Sequence, residues 1–221
     1  MSTIQLRNSA GAITVDSDNK AAHYRDHVAM TTITDRGYYV LPNKLGGTGD
    51  MGYPARNQQF KADDNLQWFR FNNNAKAMFC INQYLGGGLV TQNAGVMART
   101  HFNLPVAKGY INIWNAQGQL IWSDAQAAKI PRIVGFFTIP PNFDLDNNVY
   151  SQNIGLDKFI LASMCPGEIS DDGTVAGWSG LFFRMVNGTL QVQWLNKYQK
   201  TWAQTFKATG MKIPYAIFPN L

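Results

Sequence analysis

The sequence predicts an all-β protein built as two tandem homologous antiparallel β-sandwich domains. Three observations lead there. The 221 residues hold only 15% charged residues, against a usual share of about 25%. In their place stand 20 Gly, 20 Asn, 6 Trp, 9 Tyr and 13 Phe. Such a composition excludes long Ala/Glu/Lys/Leu helices and favours short aromatic strands divided by Asn/Gly turns. A hydrophobic fraction of 45% supplies a core and excludes intrinsic disorder. The third observation is an internal repeat.

The segment from Ile4 to Val15 lies over that from Ile111 to Trp122 at a constant offset of 107. Each reads as apolar–polar alternation, then Asn-x-x-Gly, then alternation again, which is a β-hairpin closed by a short turn. Gly37-Tyr38-Tyr39-Val40-Leu41-Pro42 lies over Gly135-Phe136-Phe137-Thr138-Ile139-Pro140 at offset 98. Phe69-Arg70-Phe71 lies over Phe183-Arg184-Met185, and Ile81-Asn82 over Leu195-Asn196, both at offset 114. Leu104-Pro105 against Ile213-Pro214 is a fourth match. Their common order divides the chain into domains 1–106 and 107–221, joined near Pro105-Val106-Ala107-Lys108. Each copy is expected to hold seven or eight short strands between turn clusters such as Pro42-Asn43-Lys44-Leu45-Gly46-Gly47 and Asp171-Asp172-Gly173. Helix is confined to one or two turns over residues 123–130, with Ser123 as N-cap and Pro131 as stop. Residues 17–22 form a weaker match to it.

The net charge of +5 divides evenly, 10 Lys+Arg against 7 Asp+Glu up to residue 107 and 9 against 7 beyond it. Nucleic-acid binding needs a concentrated basic footprint, so no nucleic-acid partner is expected. No stretch approaches the ~20 apolar residues that span a bilayer, and membrane insertion is not expected. The first residues lack an apolar signal-peptide core, which points to synthesis in a cytoplasm. Cys80 and Cys165 sit in apolar surroundings without CxxC spacing and read as two buried thiols.

No arrangement of side chains amounts to a catalytic set, and no cofactor or metal is expected. His23 and His27 have the four-residue spacing of ligands on a helical face, but no Glu completes HExxH. Asp144-x-Asp146-x-Asn148 begins like a calcium loop, yet Val149 stands where that loop needs Gly and Gly155 where it needs Glu. An Asx-rich turn is the expectation. Gly177-Trp178-Ser179-Gly180 lacks the spacing of a nucleophile elbow. The glycine-rich run from Leu45 to Gly52 has no Gly-Lys-Ser/Thr and reads as a surface loop.

Tryptophan is the asymmetric feature, with Trp68 in the first copy and Trp114, Trp122, Trp178, Trp194 and Trp202 in the second. Strand parity places Ile111 and Ile113 inward, so Asn112 and Trp114 point outward. Trp122 aligns with Val15 and Trp194 with Cys80, which makes both core residues. Asn112, Trp114, Trp178 and Trp202 are the candidate binding or interface residues. An outward indole either stacks on a sugar ring or buries into a neighbouring subunit, and the subunit is the favoured partner.

Ile4, Leu6, Asn8, Gly11, Ile13, Val15 and Asp16, repeated in part at Ile111, Ile113, Asn115, Gly118, Leu120 and Trp122, form a pattern that resembles the start of small tail-associated proteins of tailed bacteriophages. The resemblance covers about 25 residues per copy. It implies a non-enzymatic virion protein of the tail tip, fibre or baseplate region, assembled in the host cytoplasm. Other tail proteins and copies of itself are the implied partners, with a host-surface glycan or receptor as a further candidate. The alternative is a carbohydrate-binding or carbohydrate-cleaving protein that uses the tryptophans of the second copy.

Overall fold

The computed structural model describes residues 5–7, 13–16, 21–30, 37–40, 50–52, 65–73, 79–82, 87–88, 95–161, 163, 165–171, 176–219 and 221. The first half contributes β1 (Gln5–Arg7), β2 (Ile13–Asp16), β3 (His23–Met30), β4 (Gly37–Val40), β5 (Asp50–Gly52), β6 (Asn65–Phe71), β7 (Phe79–Asn82), β8 (Gly87–Gly88) and β9 (Gly95–His101). The second contributes β10 (Asn112–Trp114), β11 (Leu120–Ser123), α1 (Asp124–Ala127), β12 (Arg132–Ile139), β13 (Tyr150–Asn153) and β14 (Phe159–Leu161). It ends with β15 (Gly167–Asp171), β16 (Ala176–Val186), β17 (Thr189–Lys197) and β18 (Met211–Ile217). The protein is all-β, and every strand pairing described is antiparallel.

Two large sheets face each other. One runs β12-β18-β14-β6-β9-β3, and the other runs β13-β17-β16-β7-β8 with β15 beside β16. Phe69, Phe71, Met97, Phe137, Ile160 and Ile213 from the first meet Leu181, Phe183, Leu190, Val192 and Trp194 from the second in one buried core. The rings of Phe71 and Phe183 stack across it at 5.9 Å. Alternation along each strand gives this inward face, as a sandwich requires. Asn187 and Gly188, both at positive φ, form the two-residue turn between β16 and β17.

Both large sheets take strands from either side of the expected boundary at 106/107. β6 of the first half pairs with β14 of the second, and β7 pairs with β16. The larger sheet reads as a palindrome about its β14–β6 centre, where Trp68 stands opposite Leu161. Outward from that centre, β9 corresponds to β18 and β3 to β12. Their ladders agree in detail. His23 faces His101 and Tyr24 faces Thr100, after which a bulge at Arg25 brings Asp26 opposite Arg99. Arg132 faces Ile217 and Ile133 faces Ala216, after which a bulge at Val134 brings Gly135 opposite Tyr215.

The two hairpins agree as well. β1–β2 and β10–β11 have the same register at offset 107, with the same shift before their third pair. The other sequence matches join strands that are not counterparts. Gly37–Val40 belongs to the two-stranded β4–β5 sheet, whereas Gly135 lies in the edge strand that corresponds to β3. β6 and β16, matched at offset 114, lie in opposite sheets and face each other. Ile213 and Pro214 sit within β18, whereas Leu104 and Pro105 follow β9. Gly-aromatic and Phe-x-Phe patterns mark any strand with a buried aromatic face, so their offsets carry no pairing information.

Helix α1 is a single turn. Ser123 occupies its N-cap without making a capping bond, because its hydroxyl donates to the Ala107 carbonyl oxygen at 2.6 Å instead. The side chain of Trp178, residues 45–49, 63–64 and 172–173, and most of 17–22 lie outside the described residues.

Candidate functional site

Residues 109–124 form a pinned apolar tip. Asn115 takes the turn of the β10–β11 hairpin, its side-chain oxygen accepting the N–H groups of Gln117 at 3.1 Å and Gln119 at 2.9 Å. Gly118 supplies the positive φ that closes the turn. This is the local structure that Asn-x-x-Gly predicts.

At the other end, Asn112 grips one residue with both halves of its amide. Its oxygen accepts the Gly109 N–H at 2.9 Å, and its nitrogen donates to the Gly109 carbonyl at 2.8 Å. Asp124 completes the clasp, accepting the Ile111 N–H at 3.1 Å through its carboxylate and donating its own N–H to the Ile111 carbonyl at 3.2 Å. A Cβ at Gly109 would overlap the Asp124 carboxylate, so only glycine fits there. The clasp leaves Tyr110 fully exposed, Ile111 at 61% and Trp114 at 47% exposure. Ile113 and Ile121 are buried, with Trp122 packed on them.

Asn112 therefore serves this clasp, and its amide is not offered to a partner. Ile111, expected inward, is outward because it precedes the strand and side-chain bonds set its position. Trp202 is not a surface residue. It is fully buried, its indole N–H donates to the Phe143 carbonyl at 2.9 Å, and its ring lies 5.7 Å from those of Trp194 and Phe206. Trp194 is buried in the core.

A second apolar surface lies on the edge strand β12. Ile133, Val134 and Phe136 are each about half exposed, while Phe137 and Ile139 turn into the core. The bulge at Val134 breaks the alternation and sends two neighbouring aliphatics outward. Part of this edge is closed by Gln152 of β13, whose amide nitrogen donates to the Phe136 carbonyl at 3.0 Å and whose oxygen accepts the Thr138 N–H at 2.9 Å. No signal in strand parity marks this surface, since parity alone assigns one of two neighbours to the core.

At the corresponding edge, β3, a cleft of about 430 Å³ opens between His23, Tyr24 and Arg25 on one wall and Leu104–Ala107, Gln126 and Lys129 on the other. The walls are tied by the Tyr24 N–H donating to the Lys129 carbonyl at 2.6 Å. His23 and His27 stand on a strand, about 13 Å apart at ~3.3 Å per residue, which removes the helical-face premise of a metal pair. His27 Nδ1 lies 2.5 Å from the Tyr24 hydroxyl. Burial, and then the Asp26 charge, raise the Tyr24 phenol above its ordinary value.

The Asx-rich turn also spends its carboxylates internally. Asp146 accepts the N–H groups of Trp202 at 2.7 Å and Ala203 at 2.9 Å. Asp144 accepts from the Asn147 amide at 3.0 Å, and that bond holds its carboxyl below the usual range. Cys165 is a free, fully buried thiol whose burial pushes its pKa up, so it is no nucleophile. Among the described residues no cluster of three His, Cys, Asp or Glu side chains is placed to hold a metal. No described helix is long and apolar enough to cross a membrane.

Fold and site together define an antiparallel β-sandwich that carries two apolar surface elements, a clasped tip and a bulged edge. The chain belongs to the family described as "Domain of unknown function (DUF8377)", whose model matches residues 1–220. No curated protein and no solved structure matches it.

Proposed function

We propose that the protein is a non-enzymatic structural component of a bacteriophage tail, in the tip, fibre or baseplate region. In this reading it docks on other tail proteins and on copies of itself. Its two halves, 1–106 and 107–221, are homologous units interlocked like a fused dimer. The shared register of the two hairpins and the shared bulges of β3 and β12 support the duplication. The tail assignment rests on the resemblance of the opening hairpin pattern and its repetition.

The observation that carries the docking role is the clasped tip. Tyr110, Ile111 and Trp114 are held out by Asn112 and Asp124 before any partner arrives. Rigid exposed aromatics bind with little ordering cost, which suits an assembly surface. A sugar-binding role has less to draw on, since Trp194 and Trp202 are buried. The test pairs light scattering on the purified protein with a glycan-array screen. Self-association without a glycan signal is expected. Trp114→Ala is expected to keep the fold within about 0.5 kcal/mol and to weaken assembly. A monomer that binds sugars and loses them on Trp114→Ala would overturn the structural reading.

A further inference from the structure

Two side-chain amides in this structure each close on a backbone N–H and a backbone carbonyl. Asn112 holds both groups of Gly109, and Gln152 holds the Thr138 N–H with the Phe136 carbonyl. Gln126 of α1 differs from both. It is only 7% exposed, yet its amide has no hydrogen-bond partner among the described residues. Instead it lines the cleft beside β3, where it offers a donor and an acceptor to an occupant. The volume of about 430 Å³ lies in the range of small-ligand sites. The rest of the lining divides in two. Leu104–Ala107 make an apolar wall, while Arg25 and Lys129 bring positive charge. Arg25 shares its charge with Asp26 at 3.6 Å. Lys129 is exposed and forms no ion pair among the described residues, and no carboxylate lines the cleft. Backbone bonds set this arrangement. The Gln126 carbonyl accepts the Lys129 N–H at 2.8 Å, and the Lys129 carbonyl accepts the Tyr24 N–H at 2.6 Å. The groups are thus in place before a ligand arrives, which lowers the cost of binding.

We propose that this cleft binds an N-acylated aliphatic amino acid with a free carboxylate, either as a small molecule or as the last residue of another polypeptide. The carboxylate meets Lys129, a charge-assisted contact that no acid of the lining competes for. The acyl amide pairs with the Gln126 amide, as backbone groups pair with Asn112 and Gln152 elsewhere in the chain. The aliphatic side chain lies on Leu104–Ala107. An acid without an amide leaves Gln126 unused, and an amide without an acid leaves Lys129 unanswered. The ligand therefore needs all three parts.

This site stands apart from the self-association and the tail assignment proposed above. The test titrates three probes into the full chain and follows the backbone amide signals by NMR. The probes are N-acetyl-leucine, its neutral carboxamide N-acetyl-leucinamide, and the peptide acetyl-Ala-Ala-Leu. N-acetyl-leucine is expected to shift the signals of 104–107 and 126–129, and the neutral carboxamide to bind at least about fivefold more weakly. Lys129→Gln, which leaves the backbone bonds in place, is expected to remove that preference while changing the affinity for the carboxamide by less than about twofold. Gln126→Leu keeps the bulk without the amide and is expected to weaken both probes at least about fivefold. A peptide at least about tenfold tighter than N-acetyl-leucine assigns the site to a chain end, and any smaller gain assigns it to the small molecule. Absence of shifts at 104–107 and 126–129 with both acids would overturn the inference. So would equal affinity for acid and carboxamide, or a preference for the acid that survives Lys129→Gln in a folded variant.

Discussion

β3 and β12 occupy opposite edges of one sheet, with the same ladder and the same bulge, yet they carry opposite chemistry. After the bulge in β3, Asp26 faces Arg99, and the guanidinium grips both carboxylate oxygens at 2.5 and 2.6 Å. After the bulge in β12, the facing pair is Gly135 and Tyr215. A Cβ on Gly135 would overlap the Tyr215 ring, so the glycine lets that ring lie across the strand. Backbone register is thus kept while its filling changes from an ion pair to an aromatic on a bare backbone. The charged edge resists pairing with other chains, and the apolar one invites it.

The sharpest way to break this comparison is along β12 itself. Phe136 is half exposed and Phe137 is fully buried, side by side. Phe137→Ala is expected to cost about 3–5 kcal/mol in urea unfolding, as lost burial and a core cavity. Phe136→Ala should stay within about 0.5 kcal/mol in the monomer. Comparable losses at both would mean that the outward face of β12 is packed, and the contrast with β3 would fall.

Gly135→Ala comes next. Its new methyl group must displace the Tyr215 ring, at an expected cost of about 1–3 kcal/mol in unfolding free energy. In a Tyr215→Ala background, which has its own cost because Tyr215 packs on the core, Gly135→Ala should cost much less, because the overlapping ring is gone. An undiminished cost would place the strain elsewhere.

Gln152 tests how much of the β12 edge is closed. Gln152→Ala leaves the Phe136 carbonyl and the Thr138 N–H to water, with an expected cost of about 1 kcal/mol in unfolding experiments. Exchange at the Thr138 amide should accelerate. An unchanged Thr138 rate would show that the side chain does not guard the edge.

The hairpins were legible from sequence because their determinants are local: Asn115 and Gly118 make the turn wherever the strands go. The cross-half pairing was not legible. It depends on Trp68 meeting Leu161 and Ile81 meeting Leu181, contacts far apart in sequence whose residues look like any buried strand. For the same reason Phe69-Arg70-Phe71 matched Phe183-Arg184-Met185 although the two strands face each other across the core. At the site, parity correctly predicted an exposed Trp114 but misplaced Ile111, whose position is set by the Asn112 and Asp124 side chains. Trp202 lies outside any strand, and its burial follows from Asp146 gripping the backbone at 202 and 203. Neither bond leaves a periodic trace.

The smallest expected effect concerns the ion pair that marks the first edge. Arg99 and Asp26 are partly exposed, so water screens their attraction, and exposed pairs contribute about 0.2–1 kcal/mol. The two-oxygen grip places this pair at the upper end of that range. Arg25 also approaches Asp26, at 3.6 Å, and supplies some attraction when Arg99 is removed. A double-mutant cycle with Asp26→Asn and Arg99→Gln should therefore return a coupling of about 0.5–1 kcal/mol that shrinks as salt is added. Coupling that persists in high salt would mean the pair is shielded from solvent. The β3 edge would then be shielded by packing, and the chemical contrast between the two edges would be one of side-chain type alone.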